Sequence, residues 1–315
     1  MVDPHRRGGC HLVRHPRHRR GAARRLPPPA SRAGRAVTAP FRRRIVFLDI
    51  DGTILRHDGT IPAATTTAIR RARANGHLVF LATGRTPLEI DEQVTDIGFD
   101  GVVAGAGAFV QHEDEWIIER LMPEAACRRL REEFDALGLD YVLQGREYAY
   151  PTPGMQARLR AQLGLPEHDG RDGAAERGLG RYLGPIAPLR HDLTAKAVFS
   201  GDDLGAYDDV VRAVGAEFTV ITGTIPGMGT ASGEVSMPGV TKGSAILELL
   251  DRIGMDPADA IAMGDNNNDL EMLEAVGLGI AMGNGTVQAK QAADEVTESI
   301  DEDGLARAFA RHRLI

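Results

Sequence analysis

Cysteine and long apolar segments are scarce in this 315-residue sequence. Its two cysteines, Cys10 and Cys127, are too few for a disulfide framework or a metal–thiolate cluster. No apolar run approaches the roughly 18 residues that a membrane-spanning helix needs. These absences exclude a disulfide-rich secreted protein and a membrane protein, and we expect a cytoplasmic protein. The hydrophobic fraction of 43% is ample for a packed core, and the length predicts about two domains.

Residues 1–44 differ sharply in charge from the rest of the chain. They hold thirteen Arg, four His, no Lys and one acid, Asp3, which gives a net charge of +12 with His neutral. Since the whole chain carries −7, residues 45–315 carry −19. The segment is rich in proline, and its few apolar residues show no helical or strand period. We therefore expect residues 1–40 to be a disordered tail.

Three interpretations of this tail stay open. Its arginines suit a nucleic-acid-binding arm, although no aromatic residue lies among them before Phe41. An Arg-rich, acid-poor segment also suits an organellar transit peptide, although the triplet Pro27-Pro28-Pro29 disrupts an amphipathic helix. The favoured interpretation is a start codon assigned too far upstream, or a dispensable extension. A secretory signal is excluded because the tail has no apolar core region.

From Arg44 onward, strand-like segments alternate with helical ones. The predicted strands cover residues 45–49, 77–82 and about 101–104, and the helices between them cover 62–75 and about 87–97. This alternation predicts β–α–β units and a parallel sheet. The pattern changes after Gly107 and resumes after Val240. We predict an α/β, doubly wound, Rossmann-like core (residues 41–111 and 237–315) with an inserted α+β domain (residues 112–236).

The most informative segment is Asp49-Ile50-Asp51-Gly52-Thr53, which directly follows the first apolar strand. Ligands of α/β proteins bind at the carboxyl edge of the sheet. Two acids at that edge suit a hard cation, a nucleophile or both. Taken alone, Asp-Gly after a strand is equally well an ordinary turn.

Three further segments end strands or begin helices of the predicted core. Thr83-Gly84-Arg85 precedes a helix, whose N-terminus suits a phosphate. Thr241-Lys242-Gly243 begins another helix, and Lys242 is one of three lysines beside 34 arginines. Gly264-Asp265-Asn266-Asn267-Asn268-Asp269 supplies two more acids for a magnesium site of oxygen ligands. Each segment alone has an ordinary interpretation, as a turn, an exposed lysine or a helix N-cap.

Together and in this order, the four segments resemble the motifs of the haloacid dehalogenase superfamily of phosphatases. The large insertion between the second and third motifs is similar to that of the Cof-type branch. Similar, too, are the C-terminal segments Gly279-Ile280-Ala281-Met282-Gly283-Asn284-Gly285, Ala293-Asp294-Glu295-Val296-Thr297 and Glu302-Asp303-Gly304. The resemblance covers residues 41–315. It implies a phosphoric monoester hydrolase whose inserted domain is a cap that sets substrate specificity.

The resemblance implies catalytic roles for four residues. Asp49 would be the nucleophile that forms an aspartyl-phosphate. Asp51 would be the general acid for the leaving alcohol and then the base for water. Thr83 and Lys242 would hold the phosphoryl oxygens and neutralise charge in the transition state.

The resemblance also implies the binding residues. The substrate phosphate would be bound by Gly84, Arg85 and Asn268. The cofactor would be Mg²⁺, held by Asp49, by the backbone carbonyl of Asp51 and by Asp265. Asp269 would support that metal site, either directly or through its neighbours.

Two positions refine the comparison with the superfamily. The ion-pumping relatives carry Thr at the place of Asp51, so the acid here implies turnover to water or to a second hydroxyl. Many Cof-type relatives carry Asn-Gly-Ala where this chain has Ala106-Gly107-Ala108. The resemblance therefore does not extend to the substrate contact that this Asn would make.

We expect the substrate to be a small phosphorylated metabolite: a sugar phosphate, a flavin-pathway phosphate or a pyridoxal phosphate. The acidic body argues against nucleic acid as a partner, and no membrane partner is expected. The oligomeric state is not indicated. The alternatives are a phosphomutase with the same nucleophile, or a non-catalytic ligand-binding or regulatory protein. Candidate leaving-group contacts in the cap are His112, Arg146, Tyr148, Tyr150, Arg181 and Tyr182.

Overall fold

The computed structural model describes residues 42–165, 178–223 and 231–315, and gives only the backbone of Gly178, Leu179 and Arg181. The tail predicted for residues 1–40 lies outside these ranges. No helix in the described ranges is long and apolar enough to cross a membrane. The expected cytoplasmic location stays a prediction.

Thirteen strands and nine α-helices occur in the described residues. The strands are β1 (Ile45–Leu48), β2 (Leu78–Ala82), β3 (Gly101–Ala104), β4 (Phe109–His112), β5 (Glu115–Glu119), β6 (Asp140–Gln144), β7 (Ala149–Pro151), β8 (Lys196–Ser200), β9 (Thr219–Thr222), β10 (Ser232–Ser236), β11 (Ala260–Gly264), β12 (Leu278–Ala281) and β13 (Glu295–Val296). The helices are α1 (Ala63–Ala74), α2 (Glu92–Thr95), α3 (Glu124–Ala136), α4 (Pro153–Gln162), α5 (Ala206–Val214), α6 (Lys242–Ile253), α7 (Leu270–Ala275), α8 (Val287–Ala292) and α9 (Gly304–Arg311).

The first sheet has eight strands in the order β13-β12-β11-β1-β2-β3-β4-β5. Its strands from β13 to β3 are parallel, and β4 and β5 extend it antiparallel. In the central strand β1, Val46 and Leu48 belong to one apolar cluster, while Ile45 and Phe47 belong to another. Successive side chains of a strand point to opposite faces, so helices cover both faces of this strand. The predicted α/β core is confirmed.

The second sheet has five antiparallel strands in the order β7-β6-β8-β10-β9. Phe134 of α3 and Val210 of α5 pack with Phe199 of β8 in its main apolar cluster. This separate antiparallel sheet agrees with the predicted inserted α+β domain. The exact domain boundaries stay predictions, and β5 belongs to the first sheet although it follows residue 112.

One predicted helix differs from the structure. Residues 87–97 were expected to form one helix, but they form a single turn at Pro87–Glu89 and then the short α2. The Glu89 carboxylate accepts hydrogen bonds from the backbone and side chain of Thr86, which closes the first turn. Ile90 then adopts an extended backbone, with φ −76° and ψ 119°. This local capping ends the helix after one turn. The short strands β7 and β13 were also not predicted.

Candidate active site

The ends of β1 and β11 and the start of α6 bring three buried charged groups together. Asp49 follows β1, and its N–H donates to Met263 O of β11 at 3.0 Å. Lys242 Nζ donates to Asp49 Oδ1 at 2.7 Å and to Asp269 Oδ1 at 2.6 Å. All three side chains are buried. A single ammonium therefore connects the predicted nucleophile with an acid of the fourth motif.

The start of α6 is fixed by its own sequence. Thr241 is the N-cap, accepting a hydrogen bond from Ser244 N at 3.1 Å, while Ser244 Oγ accepts one from Thr241 N. This reciprocal capping satisfies two otherwise unpaired N–H groups. At Gly243, a Cβ atom would lie 2.4 Å from Glu271 O. Glycine thus allows α6 to pack closely on α7, and Lys242 lies in the first turn of α6, beside the acids.

Burial and like charges raise the pKa of the acids in this group. The pKa of Asp49 lies well above its ordinary value because burial disfavours the carboxylate, although Lys242 acts in the opposite direction. Burial, and next the charge of Asp269, raise the pKa of Asp265 to about 7. Burial alone would lower the pKa of Lys242, but the charges of Asp269 and Asp49 raise it. The group therefore has an excess of buried negative charge.

Asp49, Asp265 and Asp269 offer one carboxylate oxygen each, all within 4.8 Å of one another. Asp265 Oδ1 is buried and has no hydrogen-bond partner among the described residues. Asp269 Oδ2 accepts from Asp265 N and Asn266 N at 2.9 and 3.0 Å, so Asp269 already holds the loop and Lys242. Clustered carboxylate oxygens with an unpaired acceptor suit a hard divalent cation.

The turn after Asp51 closes tightly on Asp265. Gly52 has a φ of +83°, and a Cβ atom there would lie 2.2 Å from Asp265 Oδ2. The carbonyl of Gly52 accepts a hydrogen bond from Asn284 Nδ2 at 2.9 Å. Glycine is therefore required for both the backbone conformation and the space. Asn284, from one of the C-terminal segments noted above, fixes this turn.

Asp51 is more exposed than the three buried acids and pairs with Arg85. Arg85 Nε and Nη2 donate to the two Asp51 carboxylate oxygens at 2.9 and 2.7 Å, and Arg85 Nη1 donates to Asp91 at 3.1 Å. Burial opposes the guanidinium charge, but the hydrogen bonds and charges of Asp51 and Asp91 raise the pKa of Arg85. The Asp51 side chain is 55% exposed. Arg85, predicted to bind phosphate, thus holds the predicted acid–base group in this structure.

Thr83 and Gly84 follow β2, and Asn268 lies in the turn after β11. Thr83 is buried, and its Oγ1 accepts a hydrogen bond from Arg85 N at 3.1 Å. A Cβ atom on Gly84 would lie 3.3 Å from Asn268 Nδ2, so the Asn268 amide is beside the Gly84 backbone. Asn268 Oδ1 has no hydrogen-bond partner in the described part of the chain. Thr83, Gly84 and Asn268 are thus close enough to share one ligand.

A cavity of about 480 Å³ lies beside these residues, between the two sheets. The residues that line it are Asp51, Leu55, Arg56, His57, Gly59, Gly84, Arg85, Glu89, Asp91, Gln93, Gln144, Lys196, Val198, Glu234, Asp265 and Asn266. This volume suits a small organic ligand.

Three buried polar residues of the second sheet, Gln144, Lys196 and Glu234, also line this cavity and were not predicted from the sequence. Lys196 Nζ pairs with Glu234 and donates to Gly84 O at 3.2 Å. Gln144 Nε2 donates to Glu89 Oε1 at 3.1 Å and to the Tyr182 hydroxyl at 2.7 Å. The rarity of lysine was the single available signal, and it applied to Lys196 as much as to Lys242.

The leaving-group contacts predicted from the sequence are not among the described residues that line this cavity. His112 is in β4 of the first sheet, with its ring 5.5 Å from that of Phe80. Arg146 lies over the Trp116 ring, and the Tyr148 hydroxyl accepts from Arg190 N at 2.7 Å. Tyr150 packs against the apolar cluster of the second sheet. The Tyr182 hydroxyl accepts a hydrogen bond from Gln144, which lines the cavity. The structure describes only the backbone of Arg181.

The sequence matches the model of a known protein family. The family model for haloacid dehalogenase-like hydrolases matches residues 46–309, which include both sheets and all four motifs. The chain belongs to this family. The resemblance to its Cof-type branch is confirmed, and the chain is a hydrolase.

Two relatives of this haloacid dehalogenase-like hydrolase are named as phosphatases. The putative phosphatase YkrA of Bacillus subtilis (strain 168) is 30% identical over 282 residues, covering 86% of this chain and 98% of the relative. The 5-amino-6-(5-phospho-D-ribitylamino)uracil phosphatase YitU of the same organism is 29% identical over 279 residues, covering 86% and 96%.

Solved structures share the fold. A hypothetical protein from Geobacillus kaustophilus HTA426 is 28% identical, with a TM-score of 0.72, covering 87% of this chain and 100% of that one. The phosphatase BT1666 from Bacteroides thetaiotaomicron, at 20% identity, also has a TM-score of 0.72, covering 90% and 100%. The latter supports the fold alone.

Proposed function

We propose that this protein is a Mg²⁺-dependent phosphatase that hydrolyses a small phosphorylated metabolite through an aspartyl-phosphate on Asp49. The observation that carries the proposal is Lys242, buried between Asp49 and Asp269 beside the unpaired Asp265 oxygen. A structural core has no need of three carboxylates and one ammonium in such a small volume, since burying charge is costly.

Asp49 is the nucleophile in this proposal. Its carboxylate oxygen attacks phosphorus, the P–O bond to the leaving alcohol breaks, and Asp49 carries the phosphoryl group. Lys242 opposes the effect of burial and favours the ionised form of Asp49, and its ammonium would offset the charge that develops on the phosphoryl oxygens. Thr83, Gly84 and Asn268 bind those oxygens through the Thr hydroxyl, the backbone and the amide.

Asp51 is the proton carrier. Its exposed carboxyl lies in the cavity wall, where the leaving alcohol must depart. It gives a proton to that alcohol, then removes one from the water that attacks phosphorus and releases phosphate from Asp49. Arg85 orients the carboxyl through two hydrogen bonds.

Mg²⁺ would be held by the carboxylates of Asp49 and Asp265 and by the backbone carbonyl of Asp51. When bound, it supplies positive charge that offsets the phosphate and acid charges. Asp269 supports this site by holding Lys242 and the Asp265 backbone.

The substrate class is supported by the cavity and by the relatives. The cavity of about 480 Å³ has room for a small molecule, and the relatives include phosphatases named for a phosphoribitylamino-uracil and for phosphoglycolate. We propose that residues 112–236 form a cap that, with the core, encloses this substrate. The charge of −19 over residues 45–315 opposes nucleic acid as a substrate.

Hydrolysis of p-nitrophenyl phosphate tests the proposal. We expect the parent protein to release p-nitrophenol with Mg²⁺ and to lose this activity with EDTA. Asp49→Asn is expected to lower kcat by roughly 10³-fold or more, because the nucleophile is removed. Asp114→Asn, at an exposed hairpin turn, is the matched control.

Two outcomes would reject the proposal. Equal activity in Asp49→Asn and the parent would remove Asp49 from the chemistry. Isomerisation of a hexose phosphate without release of inorganic phosphate would identify a phosphomutase instead.

A further inference from the structure

The far wall of the cavity is one face of the second sheet. Gln144 of β6 pairs in register with Lys196 of β8, and Val198 of β8 pairs with Glu234 of β10. Alternate residues of a strand share a face, so all four side chains lie on the face that lines the cavity. This polar face lines the same cavity as Asp51 and Asp265.

Every cation of the cavity wall, among the described residues, already faces a carboxylate. Lys196 pairs with Glu234, Arg85 with Asp51 and Asp91, and Arg56 with Asp301. The lining holds these three Lys and Arg side chains and one histidine, His57, against five acids: Asp51, Glu89, Asp91, Glu234 and Asp265. A carboxylate on the leaving group would meet no unengaged Lys or Arg in this described wall, and the excess of acids would repel it.

Unlike the paired cations, Gln144 has a neutral hydrogen-bond acceptor without a partner among the described residues. Its amide orientation is determined because Nε2 donates to the Glu89 carboxylate, which accepts hydrogen bonds when ionised. Oε1 therefore points the other way, and it is buried without a hydrogen-bond partner among the described residues. A buried acceptor without a partner is costly. A hydroxyl donor from a ligand would satisfy it.

The described cavity lining contains no Phe, Tyr or Trp. Flat aromatic ligands gain much of their affinity by stacking on such side chains. A flavin or pyridoxal ring would therefore find no stacking surface among these residues, whereas hydroxyl groups would find several hydrogen-bonding partners.

We propose that Gln144 and the Lys196–Glu234 pair form the leaving-group subsite, and that it selects an uncharged, hydroxyl-bearing alcohol such as a polyol or sugar. A substrate hydroxyl donates to Gln144 Oε1, and a second one accepts from Lys196 or donates to Glu234. This inference rests on the proposed phosphatase function. It ranks the expected substrates, placing sugar and polyol phosphates above flavin-pathway and pyridoxal phosphates and above phosphorylated carboxylic acids.

A matched pair of substrates tests the selectivity. Glycerol 3-phosphate and 3-phosphoglycerate differ by one CH₂OH group in place of one carboxylate, and pyridoxal 5′-phosphate supplies the aromatic ring. We expect kcat/KM of the parent protein to be at least about tenfold higher for glycerol 3-phosphate than for either of the others. An equal or higher value for 3-phosphoglycerate or pyridoxal 5′-phosphate would overturn the proposal.

A variant assigns the effect to the subsite. Gln144→Leu is expected to lower the ratio of kcat/KM for glycerol 3-phosphate to that for p-nitrophenyl phosphate by about tenfold, the size of one lost hydrogen bond. Gln288→Leu, on the exposed surface of α8, is the control and should leave this ratio unchanged.

The outcomes separate this inference from the function on which it rests. If Gln144→Leu lowers both values equally, Gln144 only maintains the structure and the subsite is wrong, although the phosphatase stands. If the parent releases no phosphate from any of these esters, the phosphatase function itself is wrong. The substrate pair needs no variant, so it still decides the question if Gln144→Leu does not fold.

Discussion

Lys242 donates hydrogen bonds to two carboxylates at once from a fully buried position. Its ammonium lies within 2.7 Å of Asp49 and Asp269, so its removal leaves both acids buried without their counter-charge. The same contact that prepares Asp49 for chemistry therefore also stabilises the fold, and activity and stability depend on one side chain.

Replacing Lys242 with methionine tests this dependence. Lys242→Met keeps the apolar length of the side chain but removes the charge, and we expect the free energy of unfolding to fall by about 3–5 kcal/mol. Urea denaturation in EDTA measures it. Lys290→Met, on α8, should change stability little, and an unchanged midpoint in Lys242→Met would contradict the coupling.

Gly52 and Gly59 form a natural matched pair. Both have nearly the same φ, +83° and +81°, but a Cβ at Gly52 would meet Asp265, while a Cβ at Gly59 meets nothing within 4 Å. Either alanine variant should cost about 1–2 kcal/mol of backbone strain. We expect Gly52→Ala alone to raise the Mg²⁺ concentration for half-maximal activity, by about tenfold or more. Equal values in the two variants would show that Asp265 is not displaced.

The motif residues could be predicted from the sequence because each directly follows a strand or begins a helix. Gln144, Lys196 and Glu234 could not, since they come from three strands that are far apart in the chain. Their burial results from packing against the first sheet's loops, such as the Lys196 contact with Gly84. The pairing of Arg85 with Asp51 likewise depends on a tertiary approach that no local pattern contains.

At the scale of elements, the turn after β3 contains the departure at Ala106-Gly107-Ala108, and its backbone would suit Asn at the first position. Ala106 has a φ of +55°, in the left-handed region that Asn tolerates better than Ala. A Cβ at Gly107, where φ is +103°, would lie 2.1 Å from Thr241 O. The turn therefore packs against the start of α6, and its backbone is set by that contact.

We expect Ala106→Asn to raise the free energy of unfolding by up to about 1 kcal/mol, because Asn relieves the left-handed strain. Thermal or urea unfolding measures the change. The same substitution at Ala136, an exposed position in the last turn of α3, should instead lower stability slightly. A loss of stability in Ala106→Asn would show that the turn does not need this conformation.

Longer elements were predictable, and shorter ones were not. The helix predicted over residues 62–75 agrees with α1 to within one residue at each end, since its three turns repeat the helical pattern often enough to be recognised. The strands β7 and β13 have three and two residues, too few for a pattern. Their pairing depends on neighbours, β6 and β12, that local sequence does not specify.

For the whole molecule, the buried acids connect stability, pH and metal. The pKa of Asp265 is raised to about 7, so the metal-free folded protein keeps a proton there that the unfolded chain releases near its ordinary pKa of 3.8. The folded state binds more protons in this window, so this group makes stability fall as pH rises through it. A bound cation would favour the ionised acid and reverse this loss.

We therefore expect Mg²⁺ to raise Tm more at pH 8 than at pH 5.5, because below pH 7 protons compete for Asp265. Differential scanning fluorimetry with Mg²⁺ and with EDTA at both pH values measures the shift. Asp265→Asn, which lacks the titrating group, should lose most of the pH dependence. A Tm shift of the same size at both pH values would contradict this account.

The pairing of β1 with β11 has a consequence for synthesis on the ribosome. Ile45 pairs with Ala260, so the central strand of the first sheet lacks one neighbour until the chain beyond residue 260 has emerged. The second sheet uses strands from Asp140 to Ser236 and has all its partners earlier. The apolar strands made first must therefore wait for the last part of the chain, and during that interval their unpaired edge and apolar surface favour aggregation.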